Sequence, residues 1–302
     1  MVTTIARRDV PTYLHTPAHL PLGVLLGDDQ IERFKTFKAL HERPGIFVIP
    51  NPWDVGTARI LTALGFEALA TTSAGFAFSI GRRDSAAGLT RNEVLGNARA
   101  IVEATHLPVS ADLEDGFGSA PETCAETIRM AAGLGLVGGS IEDATGASSN
   151  PIFDFSLAVE RIVAASEAAR TLPFVLTARA ENFLHGRQNL DDTIRRLLAF
   201  AAAGADVVYA PGLPSLEAIG TVCSAVPKPV NVVMGLTGTQ FTIEELRATG
   251  VKRVSVGGSF ARAALGAFIR AAREVKEKGT FTYSADALPD AEASQYMANA
   301  TR

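Results

Sequence analysis

From Gly45 to Gly257 the chain alternates two hydrophobic rhythms. The first consists of short runs that are apolar at nearly every position and rich in β-branched residues, the pattern of parallel strands buried on both faces. They are IFVIP (46–50), EALATT (67–72), PVSAD (108–112), GGSIE (138–142), FVLTAR (174–179), DVVYA (206–210), PVNVVM (229–234) and RVSVG (253–257). The second consists of amphipathic stretches between them, such as DVGTARILTALG, LTRNEVLGNARAIVEAT, DDTIRRLLAFAAAG and IEELRATG, several ending on the glycine that a helix C-cap favours. Eight β/α alternations predict an α/β fold closed into a (β/α)8 TIM barrel rather than an open doubly wound sheet. The first strand also runs into PNPWDVGTA, which is not the glycine-rich phosphate turn of an open nucleotide-binding sheet.

Outside this repeat, QIERFKTFKALHE reads as an amphipathic helix placed to close the barrel floor. GAFIRAAREVKEKGT continues the eighth helix, and ALPDAEASQYMANA offers one more short helix. The expected organisation is an N-terminal arm over 1–27, one barrel domain over 28–280 and a C-terminal helical tail over 281–302, with no low-complexity linker between them.

Composition narrows the function classes. A net charge of −4 with no basic block gives no electrostatic case for nucleic acid or a membrane surface. Two cysteines, Cys124 and Cys223, both inside helical patterns, argue against a disulfide framework and fit a reducing compartment. No apolar run reaches the ~18 residues of a membrane span, and the first twenty residues lack the order of a signal peptide, so a cytoplasmic location is expected.

Candidate chemistry enters with PVSADLEDGFGSAPE (108–122), where three carboxylates crowd the end of a buried strand. In this fold the reactive groups come from the C-terminal strand ends and the loops after them. Strand alternation predicts that Asp112 and Glu114 point together into the barrel mouth while Leu113 faces the helices, and Glu142 ends the neighbouring strand. Converging carboxylates repel one another unless a cation joins them, and oxygen donors select a hard ion, Mg2+ or Mn2+. Alternatively, Asp112 and Asp115 cap helices while Glu142 and Asp143 pair with arginines; for Asp115 and Asp143, out of phase with the others, this is the expectation. Arg179, the one charge in its strand, would form a forked clamp for a substrate carboxylate, or would balance Glu142 or Glu181. TTSAGFA after the second strand offers a hydroxyl and backbone N–H groups for an anion. Strands six to eight contribute only Tyr209, Asn231 and Ser255.

In order, PNPWDVGTARILTALGFEAL, TTSAGFAFSIGRRD, ADLEDGFG, GGSIEDATG and TARAENFL resemble the isocitrate lyase/phosphoenolpyruvate mutase superfamily over about 37–267. The resemblance implies a barrel of the phosphoenolpyruvate/pyruvate type that uses Mg2+ to hold a 2-oxo carboxylate or its enolate while a C–C or P–C bond is broken or made. It implies Asp112 as direct metal ligand, with Glu114 (where aspartate is usual) and Glu142 as further metal carboxylates. Arg179 would lie beside the substrate, Ser73, Ala74 and Gly75 would form its carboxylate-binding turn, and Asn231 would be a further contact. Asp84, on the loop after the second strand, would approach the metal, completing a catalytic set with Arg179 and Glu114. It further implies a homo-oligomer, a dimer of dimers, exchanging the C-terminal helix.

One departure redirects the expected chemistry. The lyase branches carry a Lys-Arg-Cys-Gly-His-type loop after the fourth strand; this chain has EDATGASSNPIFDFS, without cysteine, histidine or lysine. Isocitrate and 2-methylisocitrate cleavage lose support. The expected function becomes Mg2+-dependent C–C cleavage of an oxaloacetate-like substrate, with water, Ser148, Ser149 or His185 as proton source. A P–C mutase or phosphonopyruvate hydrolase, using Arg82 and Arg83 on a lid, and a 2-oxo acid binding protein without turnover are the alternatives.

Overall fold

A computed structural model describes residues 27–84, 88–236 and 238–298. Most of the expected N-terminal arm (1–26), part of the loop after the second strand (85–87) and the end of the tail (299–302) lie outside the described residues. Eight parallel strands form one sheet: β1 Phe47–Ile49, β2 Leu69–Ala70, β3 Val109–Asp112, β4 Gly138–Glu142, β5 Val175–Arg179, β6 Val207–Tyr209, β7 Val230–Val233 and β8 Arg253–Ser255. Their hydrogen-bonded order is β1-β8-β7-β6-β5-β4-β3-β2. The circle closes between β1 and β2, where Ala70 N–H donates to Pro50 O at 3.0 Å and Asn51 Nδ2 donates to Thr71 O at 2.9 Å. Buried Asn51 also accepts from Val256 N and Gly257 N, both at 2.9 Å, so one amide joins the upper ends of three strands.

The helices are α1 Asp28–Glu42, α2 Val55–Ala63, α3 Ser73–Ser79, α4 Arg91–Glu103, α5 Pro121–Gly133, α6 Phe155–Ala169, α7 Leu190–Ala202, α8 Leu216–Ala225, α9 Ile243–Ala248, α10 Ser259–Lys278 and α11 Asp290–Ala298. Local chemistry fixes several of their starts. Asp54, Thr90 and Thr242 each make a reciprocal capping box with the residue three positions on, and Asn189 and Ser215 cap α7 and α8. The main core lies between the strands and the helix ring. A second cluster fills the floor, where Phe37 and Leu40 of α1 meet Phe47, Val137, Val175 and Val207. Gly138 is required there, because a Cβ would lie 2.8 Å from the Phe37 ring and 3.0 Å from Val175 O.

After the barrel, α10 exposes Phe268 (70%), Leu265 and Ile269, and the following turn exposes Phe281. α11 lies on α2 of its own chain, with Arg59 Nη1 donating to Met297 O at 2.8 Å. Among the described residues no helix is long and apolar enough to cross a membrane.

Candidate active site

The mouth of the barrel opens into a cleft of about 1210 Å³, into which the C-terminal ends of most strands project. Asp112, Glu142 and Arg179, the last residues of β3, β4 and β5, gather because these strands are neighbours: Glu142 is level with Arg179, and Asp112 is level with Ser140, one inward-facing position below Glu142. Arg179 is their hub. Its Nη1 donates to Asp112 Oδ1 at 3.0 Å, its Nη2 lies 3.1 Å from Glu142 Oε2, and its Nε donates to Glu181 Oε1 at 2.9 Å. The Tyr209 ring lies 5.0 Å from the guanidinium carbon. The other oxygen of Asp112 accepts from Ser73 Oγ at 2.8 Å and Ser73 N at 3.2 Å. One carboxylate is thus held from α3 and from β5 at once.

Glu114 also lines the cleft, but strand alternation is not what puts it there. β3 ends at Asp112, and Glu114 sits in the following turn with φ +48°, in the left-handed region that a side chain adopts at a cost of about 1–3 kcal/mol. Burial, then the charges of Asp112, Asp115 and Asp84, push its carboxyl up to about 8. Burial is also the largest cause raising Glu142, where Arg179 opposes the rise. Asp84, on the cleft wall, is raised by burial and by Asp112.

The segment after β2 is the first turn of a helix rather than an open turn. Ser73 and Ala74 line the cleft. Gly75 is buried, its N–H donates to the Thr72 hydroxyl, and a side chain there would lie 2.7 Å from Thr72 Cγ2. Its geometry serves packing, in contrast to the substrate contact expected of it. Asn231 lines the cleft, with both ends of its amide already engaged by Arg253 and Ser255. Asp115 accepts from Phe117 N in the turn, and Asp143 pairs with buried Arg196 at 3.0 Å while accepting from Glu181 N. Arg82 pairs with Glu93 at 2.8 Å, and neither it nor Arg83 lines the cleft.

Sequence reasoning missed two cationic groups. Arg262 on α10 is exposed in the cleft wall without an ion pair among the described residues, and Arg253 lies beneath the mouth. Alternation along RVS would have found Arg253, which shares the inward face with Ser255; nothing local marks Arg262. Glu181, expected with Arg179 at the end of the fifth strand, does line the cleft.

The two cysteines lie in α5 and α8, outside the cleft, and burial pushes both thiols up to about 11. Such thiols stay protonated and unreactive at neutral pH. The double variant Cys124→Ser, Cys223→Ser should therefore keep catalytic rate within about twofold while losing no more than ~1–3 kcal/mol of stability. A lost chemical step in the folded variant would locate the acid in one of these helices.

Residues 37–276 match the family described as phosphoenolpyruvate phosphomutase. A solved structure from Burkholderia cenocepacia J2315, provisionally named a lyase/mutase, is 58% identical with a TM-score of 0.88, covering 90% of this chain and 98% of its own. An uncharacterized protein of Mycobacterium tuberculosis H37Rv is 34% identical over 245 residues, 80% of this chain and 89% of the relative. A probable 2-methylisocitrate lyase of Corynebacterium glutamicum is 29% identical over 264 residues, 84% of this chain and 85% of the relative.

Proposed function

The chain belongs to the phosphoenolpyruvate phosphomutase family within the isocitrate lyase/phosphoenolpyruvate mutase superfamily, and from that premise we propose that it is a Mg2+-dependent carbon–carbon lyase of oxaloacetate-like 2-oxo carboxylates. The observation that carries this reading is the crowding of acids in the mouth: Asp112, Glu142 and Glu181 pair with the guanidinium of Arg179, and Asp84 and Glu114 feel its charge.

The donor set fits a hard divalent ion. Every candidate donor is a carboxylate oxygen, and Glu114 is raised by burial first and then by the neighbouring charges of Asp112, Asp115 and Asp84. Among the described residues no three acidic, histidine or cysteine side chains converge on one point. Mg2+ dehydrates reluctantly and commonly keeps several waters while using one or two carboxylates. Asp112 would hold it directly, and Glu114 and Glu142 through water. When bound, the ion supplies a Lewis acid for the 2-oxo and carboxylate oxygens of the substrate.

The chain's own residues then orient and exclude. Ser73 and Arg179 fix Asp112 at both oxygens, and Arg179, held by three acids, stays rigid beside the substrate and contributes proximity rather than proton transfer. In decarboxylation of an oxaloacetate-like substrate the bond to the departing carboxylate breaks, carbon dioxide leaves, and the electron pair remains on the adjacent carbon. That carbon takes a proton from water or from His185, which lines the cleft rim. The β4 loop lines the cleft with Ala144, Thr145 and Gly146, none of which supplies a strong acid. The pairing of Arg82 with Glu93, away from the cleft, favours C–C over P–C chemistry.

Calorimetry with Mg2+ and oxaloacetate, 2-oxoglutarate or phosphonopyruvate, followed by product analysis, tests the proposal. Mg2+-dependent binding and turnover of oxaloacetate support it. Turnover of phosphonopyruvate alone moves the chain to P–C chemistry, and binding without any turnover makes it a 2-oxo acid binding protein.

Titration gives an independent check. With its folded value near 8, Glu114 keeps a proton across the window from about 4.5 to about 8 that the unfolded chain releases, so its contribution to stability falls as pH rises through that window. Mg2+ competes for the same oxygens. The stabilisation on adding Mg2+, read by thermal unfolding, should therefore be small near pH 5 and larger near pH 8, approaching ~2–3 kcal/mol when the ion exceeds its Kd about a hundredfold. An equal gain at both pH values would take the carboxylates out of the metal site. We also propose a homo-oligomer assembled through the exposed apolar face of α10; a monomer in sedimentation equilibrium would rule it out.

A further inference from the structure

Below the mouth the barrel holds an arginine that the proposed chemistry does not use. Arg253, the first residue of β8, is buried, and its charge pairs with no carboxylate among the described residues. Its nitrogens meet three neutral groups instead. Nε donates to Asn231 Oδ1 at 2.7 Å, Nη2 donates to Thr177 Oγ1 at 3.0 Å, and Nη1 lies 3.2 Å from His41 Nε2.

The polarity of this network is determined at both ends. His41 Nδ1 lies 2.8 Å from the carbonyl oxygen of Phe37, which can only accept, so Nδ1 carries the hydrogen and Nε2 is left bare to accept from Arg253. Burial and the charge of Arg253 lower His41 to about 3, which keeps the ring neutral. A guanidinium only donates, so the end of the Asn231 amide that faces it must be oxygen. The other end, Nδ2, donates to Ser255 Oγ at 3.0 Å, and Asn231 is level with Tyr209, the residue stacked against Arg179. Ser255 lies one inward-facing position nearer the mouth than Arg253. The same residues form a row in register across four strands: Arg179 beside Tyr209, Tyr209 beside Asn231, and Asn231 beside Arg253.

We infer that Arg253 is a positioning residue: it holds the Asn231 carbonyl toward the floor and turns the amide N–H groups toward the mouth, so that this side of the cleft selects an oxygen acceptor of an anionic ligand. Asn231 and Arg253 both line the cleft, and small side chains at Ala70, Ser110 and Ser140 leave the interior open between them and the carboxylates above. A neutral or aliphatic residue at 253 would free the amide to reverse. The inference rests on the proposed anion-binding role of the cleft, so its test has two independent arms.

The first arm is calorimetry with oxalate and Mg2+ on the full chain. Arg253→Met should weaken oxalate by about tenfold, the size expected when an oriented buried hydrogen bond is lost. Asn231→Ala should weaken it similarly, and the double variant should be no weaker than Asn231→Ala alone. Arg253→Lys, which keeps the charge but cannot span Asn231, Thr177 and His41 together, should show the same loss; it also decides the matter if the methionine variant does not fold. Additive losses in the double variant, full affinity in Arg253→Met, or rescue by lysine would each overturn the inference. The second arm needs no ligand. In 15N NMR of the free protein, His41 should show a fixed Nδ1–H tautomer whose Nε2 resonance is shifted by an accepted hydrogen bond, and that Nε2 resonance should move in Arg253→Met as the donor is lost. An unchanged His41 overturns the polarity lock, whereas failure of the wild type to bind oxalate counts against the proposed function alone.

Discussion

Replacing Asp112 with alanine should abolish Mg2+-dependent binding of oxaloacetate, with a loss exceeding about a hundredfold, the upper range for residues that merely support a ligand. The geometry explains why the loss should be large and local. Asp112 is the carboxylate that Ser73 and Arg179 grip from opposite sides, so it occupies one fixed place at the end of β3. Among the described residues no other acid in the cleft is held by a backbone N–H and a hydroxyl of α3. The fold should survive, because removing one acid from an over-acidic mouth offsets part of the cost of stranding the Arg179 and Ser73 donors; a change within ~1–3 kcal/mol is expected. Calorimetry with and without Mg2+, alongside thermal unfolding, reads both quantities. Retained metal-dependent affinity would remove Asp112 as a ligand and, with it, the proposed centre of the site.

Exchanging Arg179 for lysine should cost both stability and binding. Three nitrogens of the guanidinium meet three carboxylates on different oxygens, and the side chain is largely buried. A single ammonium cannot reproduce that fork, so two of the acids would lose their counter-charge in a poorly solvated place. Breaking a buried pair of this kind typically costs ~3–5 kcal/mol. The sign of the pH dependence follows. Without the guanidinium the uncompensated charge of Glu142 raises the affinity of the folded state for protons, so the deficit should be greatest above neutrality and shrink as pH falls. Oxaloacetate affinity should drop by more than about tenfold as the oriented donors are lost. A lysine variant with unchanged Tm and affinity would show that Arg179 is neither hub nor clamp.

Much of this architecture was legible along the chain. The eight strands appear where apolar, β-branched runs predict them, with ends shifted by a residue or two, and β4 matches its run from Gly138 to Glu142. The floor helix was legible too, since FKTFKALHE puts Phe37 and Leu40 on the face that α1 buries. Less legible was how the site is arranged. Ser73 begins a short helix rather than a turn, because Thr72 caps the Gly75 N–H, a choice that small residues alone do not reveal. Glu114 reaches the cleft from a left-handed turn, not from a strand face. Arg179 was read as a clamp or as a counter-charge; it is engaged with three acids, one of them 67 positions away.

The sequence by itself determined the repeat, the closed parallel sheet and the strand ends at which acids and Arg179 gather, because backbone period, helix capping and side-chain alternation act over a few residues. Only the tertiary structure decided which charges meet and which way each donor points. Asp112 and Arg179 become neighbours through the lateral order of the strands, and His41 reaches Arg253 across 212 positions because α1 plugs the floor beneath β8. Burial then sets the chemistry: it raises Glu114 and Glu142 and keeps His41 neutral, effects that depend on surroundings supplied by distant segments of the chain.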